Sequence, residues 1–234
     1  MRVKDFGESD LLVSFFTSDR GQLRGIAKSA RKSRKRFTNC LDTFSLVSLE
    51  YGIRKAGGLC FIRAGRLLEG FPGLRENFQT FSRASFMLEL TEVLFPSEVA
   101  DGQMFDLLRH SLGCLSAGEE PEPVLLAFEA RALALGGYAI HMESCCVCGR
   151  HYSGAGTAVF KRERGGIACL RCQPQSAETP ALSPESAATL SNMQCGLIQD
   201  PPAPYGRVMD EIRSVIRLHR EYRLEQRLKT AKYL

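Results

Sequence analysis

The chain has 234 residues, 44% of them hydrophobic, which suffices for packed cores and excludes a disordered protein. No run of about 18 apolar residues could span a bilayer, and the N-terminus lacks the apolar stretch of a signal peptide, so we expect a cytoplasmic protein. The net charge of +5 is uneven, because residues 1–66 carry 14 Lys and Arg against 6 Asp and Glu, whereas the remainder carries 17 against 20. A positive field confined to one part of the chain favours a polyanionic partner.

The first third of the sequence predicts β-strands. An apolar run at 11–16, turn residues at 17–21 and a return at 22–27 are typical of a hairpin. Two more strands are predicted at 44–51 and 59–68, with a break at Gly57-Gly58 between them. Four or five short strands over about 65 residues predict a small barrel.

From residue 74 onward the apolar period is that of helices. A first helix to about residue 95 should bury one face whose members lie three or four positions apart. These members are Leu74, Phe78, Phe81, Ser85 and Leu88. Further helices are predicted at 103–115 and 124–135, and later at 184–198 and from about 205 to 232. The prolines at 201–204 predict a rigid linker before the last helix.

Four cysteines form the strongest local signal. Cys145 with Cys148, and Cys169 with Cys172, are two C-x-x-C pairs separated by twenty residues that predict a hairpin turning near Gly165. Each tight turn aims two sulfurs at one ion, and the hairpin brings the two turns together. Four thiolates in a tetrahedron suit Zn²⁺, and a closed shell leaves no position for water, so the site is predicted to be structural.

Two unmetallated turns, or a redox C-x-x-C pair, are the alternatives to zinc. Cys146 could replace Cys145, but its spacing is wrong for a zinc turn, so we interpret it as a bystander. His141 and His151 flank the first pair and are interpreted as surface or packing residues, because the shell is already full. The isolated thiols are interpreted as buried and inert; they are Cys40, Cys60, Cys114 and Cys195.

A basic segment runs from Lys28 to Arg36, where six of nine residues are positive. Neighbouring cations can hold adjacent phosphates, and each neutralised phosphate releases counterions. A solvated charge run or a nuclear-localisation type of patch is the alternative, and a place on a barrel loop favours nucleic acid. The predicted phosphate contacts are Arg24, Lys28, Arg31, Lys32, Arg34, Lys35 and Arg36. The aromatics available for base stacking are Phe15, Phe16, Phe37 and Phe44, most of which we expect in the core.

The last predicted helix carries a basic stripe beside an apolar face. The stripe consists of Arg213, Arg217, Arg220 and Arg227, and the apolar face of Ile212, Val215, Ile216, His219 and Tyr222. A role in nucleic-acid binding and an ordinary amphipathic helix with a hydrated edge both explain this pattern. No phosphate-binding loop, H-E-x-x-H or G-x-S-x-G motif is present, so no catalytic residue is predicted.

Several short motifs, in this order, carry a family resemblance. They are residues 5–10 (DFGESD), 25–31 (GIAKSAR), 41–44 (LDTF), Phe128-Glu129 with Leu133, Leu135, Gly136 and Tyr138, Gly165-Gly166, and 227–229 with 233–234. With these motifs around the two cysteine pairs, the chain resembles the bacterial recombination mediators of the RecO family. Members usually have a longer first strand ahead of Asp5, so we expect the first barrel strand to be missing or incomplete.

The resemblance implies an α+β fold with an N-terminal OB-fold barrel at 1–68, a helical domain in two parts at 69–143 and 175–234, and an inserted Cys₄ zinc ribbon at 144–174 holding one Zn²⁺. It implies a nucleoid-associated DNA-repair mediator that is not an enzyme. Such a protein binds single- and double-stranded DNA, anneals complementary strands and, with RecR, helps to load RecA onto DNA coated by single-strand-binding protein (SSB), whose tail it binds. A zinc-ribbon interaction scaffold and a zinc-dependent nuclease are the alternatives.

Overall fold

The computed structural model describes residues 2–52, 58–174, 176, 179–196, 206–224 and 226–234. The chain forms two compact units, Met1–Gly118 and Glu119–Leu234. The predicted linker at 201–204 and the break at Gly57 lie outside the described residues. No helix within the described ranges is long and apolar enough to cross a membrane.

A five-stranded sheet opens the first unit. Its strands are β1 (Arg2–Phe6), β2 (Asp10–Thr17), β3 (Gly21–Ala27), β4 (Leu46–Gly52) and β5 (Cys60–Glu69). They lie in the order β1-β2-β3-β5-β4, with β3 and β5 parallel and the other neighbours antiparallel. The arrangement is OB-like, as expected, and partly open, since the edge strands β1 and β4 do not pair with each other within the described residues. All five residues of β1 pair with β2.

Alternation along the strands determines the core of the barrel. Val13 and Phe15 of β2 and Leu23 and Ala27 of β3 point to one face and are buried. Gly25 lies among them because a Cβ at this position would approach Cys60 Sγ to 2.5 Å. The opposite face of the same strands is therefore left for other contacts.

Two helices complete the first unit. α1 (Phe78–Leu94) begins where the Asn77 side chain accepts a hydrogen bond from Thr80 N–H, and α2 (Gly102–Ser116) begins at Asp101 in the same way. The predicted buried face of α1 was partly wrong. Leu74 and Leu88 are buried, but Phe78 is 66% exposed and Phe81 44% exposed. In α1, burial depends on the position along the helix and not on one face. Residues 86–91 are buried in succession, whereas the phenylalanines of the first turn are exposed.

Within its described residues, the second unit combines three α-helices with a small sheet. Its elements are α3 (Pro121–Leu135), β6 (Ala158–Lys161), β7 (Gly166–Cys169), β8 (Ala181–Leu182), α4 (Pro184–Cys195) and α5 (Gly206–Arg223). α3 is the central helix, since residues 123–130 are all buried, and the sheet has the order β7-β6-β8. The prediction that the last helix reaches Lys232 was wrong. Helix-forming residues continue past Arg223, but packing of the buried Leu228 outweighs their propensity.

A buried ion pair joins α3 to α5. Arg220 Nη1 donates to Glu129 Oε2 at 2.6 Å, and both side chains are less than a tenth exposed. Burial raises the pKa of Glu129 to about 7, although the charge and hydrogen bond of Arg220 act in the opposite direction. The two side chains form a short hydrogen-bonded ion pair. Removal of either one would destabilise the fold, because the other would stay buried without its partner.

Candidate nucleic-acid interface and metal centre

The basic segment forms the start of the connection between β3 and β4. It contains a 3-10 helix, Ala30–Lys32. Just before this helix, Ser29 N–H donates a hydrogen bond to Asp10 Oδ1 at 2.8 Å, which fixes the backbone there. Arg31 N–H donates to Ser9 O at 3.1 Å, and Gly65 N–H donates to Arg36 O at 2.8 Å. Backbone hydrogen bonds therefore fasten both ends of the segment to neighbouring parts of the barrel.

Apolar anchors lie within the cationic run of this connection and directly after it. Ala30, Phe37, Cys40 and Phe44 are all buried, between 1% and 7% exposed. The Arg36 guanidinium lies 5.0 Å from the centroid of the Phe37 ring and covers it. The charged side chains consequently stand outward on a backbone that the core holds in place.

All seven predicted phosphate contacts are exposed: Arg24, Lys28, Arg31, Lys32, Arg34, Lys35 and Arg36. Arg31 approaches one acid, Asp5, at 3.8 Å between Nε and Oδ1. Among the described residues, Lys32, Arg34 and Lys35 form no ion pair. We call residues 28–36 the basic loop; its charge faces water and is available to an external anion.

The outer face of the sheet extends this surface. β-register places Lys4, Leu12, Ile26 and Phe61 in one row across four strands. Lys28 Nζ lies 5.6 Å from the centroid of the Phe61 ring. In the neighbouring row, Arg2 and Arg24 flank Ser14; Arg2 Nη2 pairs with Glu92 Oε2 of α1 at 2.5 Å, and Arg24 is exposed. Phe6 lies 46% exposed at the end of β1. Cations and apolar rings are thus interleaved on one face.

The stacking aromatics named from the sequence are mostly in the core, as expected. Phe15, Phe37 and Phe44 are buried, and Phe16 is half-buried with its ring stacked on Phe105 at 6.5 Å. On the basic face, Phe6 is exposed and Phe61 is half-buried with Lys28 over its ring, and sequence analysis missed both. Phe61 could have been found, because it alternates with the buried Cys60 and Ile62.

The four cysteines of the two C-x-x-C pairs meet at one point. Cys145 and Cys148 lie on a turn before β6, and Cys169 and Cys172 at the end of β7. Their sulfurs all lie within 4.8 Å of one another, and Cys148 Sγ is 3.9 Å from Cys169 Sγ. Metal–sulfur bonds of about 2.3 Å in a tetrahedron place sulfurs about 3.8 Å apart, so the cluster fits a single metal ion.

The thiols of the cluster do not ionise independently. Burial raises the pKa of Cys145, but hydrogen bonds from the N–H groups of Cys148, Cys169 and Val147 lower it to about 6. Hydrogen bonds to Cys148 and Cys169 raise the pKa of Cys172 to about 12. Four thiolates at this separation repel one another, and a bound cation removes the repulsion. The donor set therefore favours a metal over four free thiols.

The remaining thiols and histidines stand apart from the cluster. Cys146 N–H donates to Ile167 O at 2.8 Å, and His141 Nε2 lies 2.8 Å from Ser144 Oγ. Of the isolated thiols, Cys40 and Cys60 are buried as predicted. The prediction was wrong for Cys195, which is exposed, and Cys114 is only half-buried. Cys195 is the last residue of α4, and the described residues leave its side chain exposed.

The stripe on α5 is not a continuous basic surface. Arg220 is buried against Glu129, and Arg213 is paired with Glu122 and Asp210. Arg227 lies beyond the end of α5. Conversely, Tyr222 was assigned to the apolar face and is 47% exposed. The sequence pattern could not reveal that an acid on α3 faces Arg220.

An OB-like sheet with a basic loop in one unit, and a four-cysteine cluster able to hold a metal in the other, define a class of nucleic-acid-associated proteins. Comparison with known proteins identifies the member of that class. Residues 1–71 match the family model "Recombination protein O N terminal", and residues 75–232 match "Recombination protein O C terminal". The chain belongs to the RecO family of DNA repair proteins.

Individual relatives agree. The DNA repair protein RecO of Anaeromyxobacter dehalogenans (strain 2CP-C) is 32% identical over 239 aligned positions, which cover 100% of this chain and 92% of the relative. That of Syntrophus aciditrophicus (strain SB) is 31% identical over 196 residues, covering 84% of this chain and 75% of the relative. The similarity therefore extends through both units.

Proposed function

We propose that this chain is a recombination mediator that binds single- and double-stranded DNA through the basic loop and anneals complementary strands. Together with RecR, it helps to load RecA onto DNA coated by SSB, whose tail it binds. The observation that carries the proposal is the basic loop itself, with exposed cations on a backbone fastened to the barrel core. Family membership supports the partners, and the structure supports the DNA contact.

Physical chemistry favours a polyanion for this loop. Exposed cations repel one another at close range, and a phosphate backbone offers matching charges at regular spacing. Buried anchors such as Phe37 reduce the ordering that binding requires, because the loop backbone is already held. Phe6 and Phe61 on the adjacent face give single strands a surface for base stacking.

The cysteine cluster is proposed to hold one structural Zn²⁺. Cys145, Cys148, Cys169 and Cys172 would supply all four ligands, which leaves no open position for a reactive water. Bound zinc would hold two turns together in a segment with a small apolar core. We therefore propose that the protein is not an enzyme and that strand annealing proceeds without nucleotide hydrolysis.

Charge reversal in the basic loop tests the function. The variant Arg34→Glu, Lys35→Glu, Arg36→Glu is compared with a control that reverses Arg217, Arg227 and Lys232, three exposed cations of the second unit. Annealing of two complementary labelled strands should fall at least about tenfold in the first variant and stay near wild type in the control.

Equal annealing by the two variants would favour the alternative function, a zinc-ribbon interaction scaffold. An interaction scaffold would anneal weakly or not at all, and both variants would behave alike. The exposed apolar tips of the cysteine turns, Val147 at 51% and Leu170 at 49%, are the observation that favours a scaffold.

A further inference from the structure

A second cationic and aromatic cluster lies wholly within the second unit. The turn between β6 and β7, residues 162–165, meets the last turn of α5. Tyr222 projects from α5 with 47% of its surface exposed. Two guanidinium groups flank its ring, Arg162 at 5.8 Å and Arg223 at 5.6 Å from the centroid. We call these three residues the Tyr222 cluster.

Close packing holds the Tyr222 cluster in place. Gly165 has φ +63, and a Cβ at this position would collide with the Arg223 guanidinium. The neighbouring His219 is buried, donates from Nε2 to Tyr138 O at 2.8 Å, and meets the Phe160 ring edge-on at 5.7 Å. The end of α5 is therefore fixed against the hairpin, and the exposed ring does not have to be ordered by a ligand.

Among the described residues, cations outnumber acids around the exposed ring. Arg164 is exposed in the same turn, beside Arg162. The acids nearby are Glu163, whose Oε1 lies 3.1 Å from Arg162 Nε, and the exposed Glu221 next to Tyr222 on α5. The surface therefore offers planar groups for stacking together with guanidinium forks for phosphate.

We propose that the Tyr222 cluster is a second nucleic-acid site that takes single-stranded DNA or RNA, with a base stacked on Tyr222 and the backbone phosphates bound by Arg162 and Arg223. An accessible aromatic ring beside arginines is how proteins hold unstacked bases without reading their sequence. The inference rests on the proposed function and deepens it. Annealing requires two strands on one protein, and the basic loop of the first unit provides for one of them.

Uptake of a second strand tests the proposal. The full chain, with its zinc, is saturated with donor-labelled oligo-dT and titrated with acceptor-labelled oligo-dT, so that energy transfer reports two non-complementary strands on one protein. The variant is Arg162→Ala with Tyr222→Ala. The matched control is Lys232→Ala with Tyr233→Ala, because Lys232 is exposed and its Nζ lies 4.8 Å from the centroid of the exposed Tyr233 ring.

The variant should bind the first strand within about twofold of wild type and the second at least about tenfold more weakly, since stacking contributes about 1–3 kcal/mol per base. Tyr222→Phe should keep second-strand uptake, because the ring remains. Photocrosslinking of an iodouracil-containing oligonucleotide to the wild-type chain should label the peptide that contains Tyr222.

Two results would overturn the proposal alone: normal second-strand uptake by the folded variant, or wild-type protein that binds one strand and never a second. A variant that loses binding of poly-glutamate while retaining both strands would assign the cluster to an acidic protein partner instead, which also overturns it. Wild-type protein that binds no oligonucleotide at low salt would overturn the proposed function, and this inference with it.

Discussion

Phe37 is 6% exposed although it directly follows the basic loop, and its burial connects that loop to the barrel core. Buried rings such as Phe37 fix the backbone of this connection, and the cations of the basic loop on the same backbone are exposed to solvent. A single ring can therefore affect affinity for DNA without touching it. The structural role of Phe37 and the binding role of its neighbours can be separated by experiment.

Phe37→Ala should lower the free energy of unfolding by about 3–5 kcal/mol, as expected for removal of a buried phenylalanine. It should also weaken binding of single-stranded DNA, because the loop loses its anchor. Fluorescence anisotropy with a labelled oligonucleotide and urea unfolding measure the two effects. Phe78→Ala is the control, since that ring is 66% exposed and its removal should change neither. Unchanged stability in Phe37→Ala would contradict the anchoring role.

Arg220 and Glu129 form a pair whose disruption should be severe. Arg220→Met removes the charge and hydrogen bond that lower the pKa of Glu129, so the carboxyl group stays buried, protonated and without its partner, and the change should cost about 3–5 kcal/mol of stability in urea unfolding at neutral pH. The matched change Arg213→Met breaks a pair whose arginine is 46% exposed and should cost less than about 1 kcal/mol. Equal effects of the two changes would show that burial of the pair is unimportant.

Glu211 gives a pH dependence whose sign follows from its surroundings. Burial raises its pKa, but hydrogen bonds from Ser183 N–H, Ser186 Oγ and Arg207 outweigh this and lower the pKa to about 2, below the ordinary value of 4.5. The ionised group thus stabilises the fold above pH 4.5, and this contribution disappears as the pH falls toward 2.

Glu211→Gln should be less stable than wild type at neutral pH, and the difference should shrink as the pH falls through that range. Urea unfolding at a series of pH values measures it. Glu185→Gln, at an exposed position in the first turn of α4, serves as the control. A difference between Glu211→Gln and wild type that is independent of pH would contradict this account.

At the scale of elements, period-2 and period-3.6 patterns identified β2 to β5, the three helices from α1 to α3 and the hairpin of the cysteine ribbon. Local sequence patterns gave wrong predictions where tertiary contacts determine whether a strand forms or a side chain is buried. The short strand β1 was missed because polar residues dominate it, and it is defined by pairing with β2. On α5, Arg220 was expected to be exposed and Tyr222 to be buried, and the structure shows the reverse. Arg220 is buried because Glu129, which is distant in sequence, provides a buried partner for it.

Candidate residues were predictable for the same reason. Two C-x-x-C pairs and a dense charge run are visible in sequence because their members are close along the chain. Phe6, Phe61 and the Tyr222 cluster are brought to their surfaces by strand register or by packing between elements. Alternation along β5 predicts that Phe61 lies on the outer face, but no periodicity within one segment predicts that Lys28 lies over its ring or that Arg162 and Arg223 flank Tyr222.

The cysteine ribbon allows a prediction about an element. Cys148→Ser should abolish binding of one zinc ion per chain and lower the thermal stability of the second unit, because the two turns lose their common ligand. Cys195→Ser changes an exposed thiol outside the cluster and should retain both properties. Zinc content and thermal unfolding are measured on the same samples. A Cys148→Ser protein that keeps full zinc content and stability would contradict the proposed site.

At the scale of the whole molecule, charge is separated along the chain. The first 66 residues carry an excess of eight positive charges, and the remainder carries an excess of three negative charges. The excess lies in the barrel unit, where the basic loop and the outer sheet face present it to solvent. Such a field increases the rate of encounter with nucleic acid and makes binding depend on ionic strength.

Salt dependence of single-strand binding tests the central claim most directly. Affinities of wild type and of the neutralised variant Arg34→Gln, Lys35→Gln, Arg36→Gln are measured over a range of salt concentrations. If the basic loop holds phosphates, log K should fall steeply with log salt in wild type, and the slope in the variant should be smaller by about 2, at roughly 0.7 per lost phosphate contact. An identical slope in both proteins, or no binding by wild type in dilute buffer, would contradict the account.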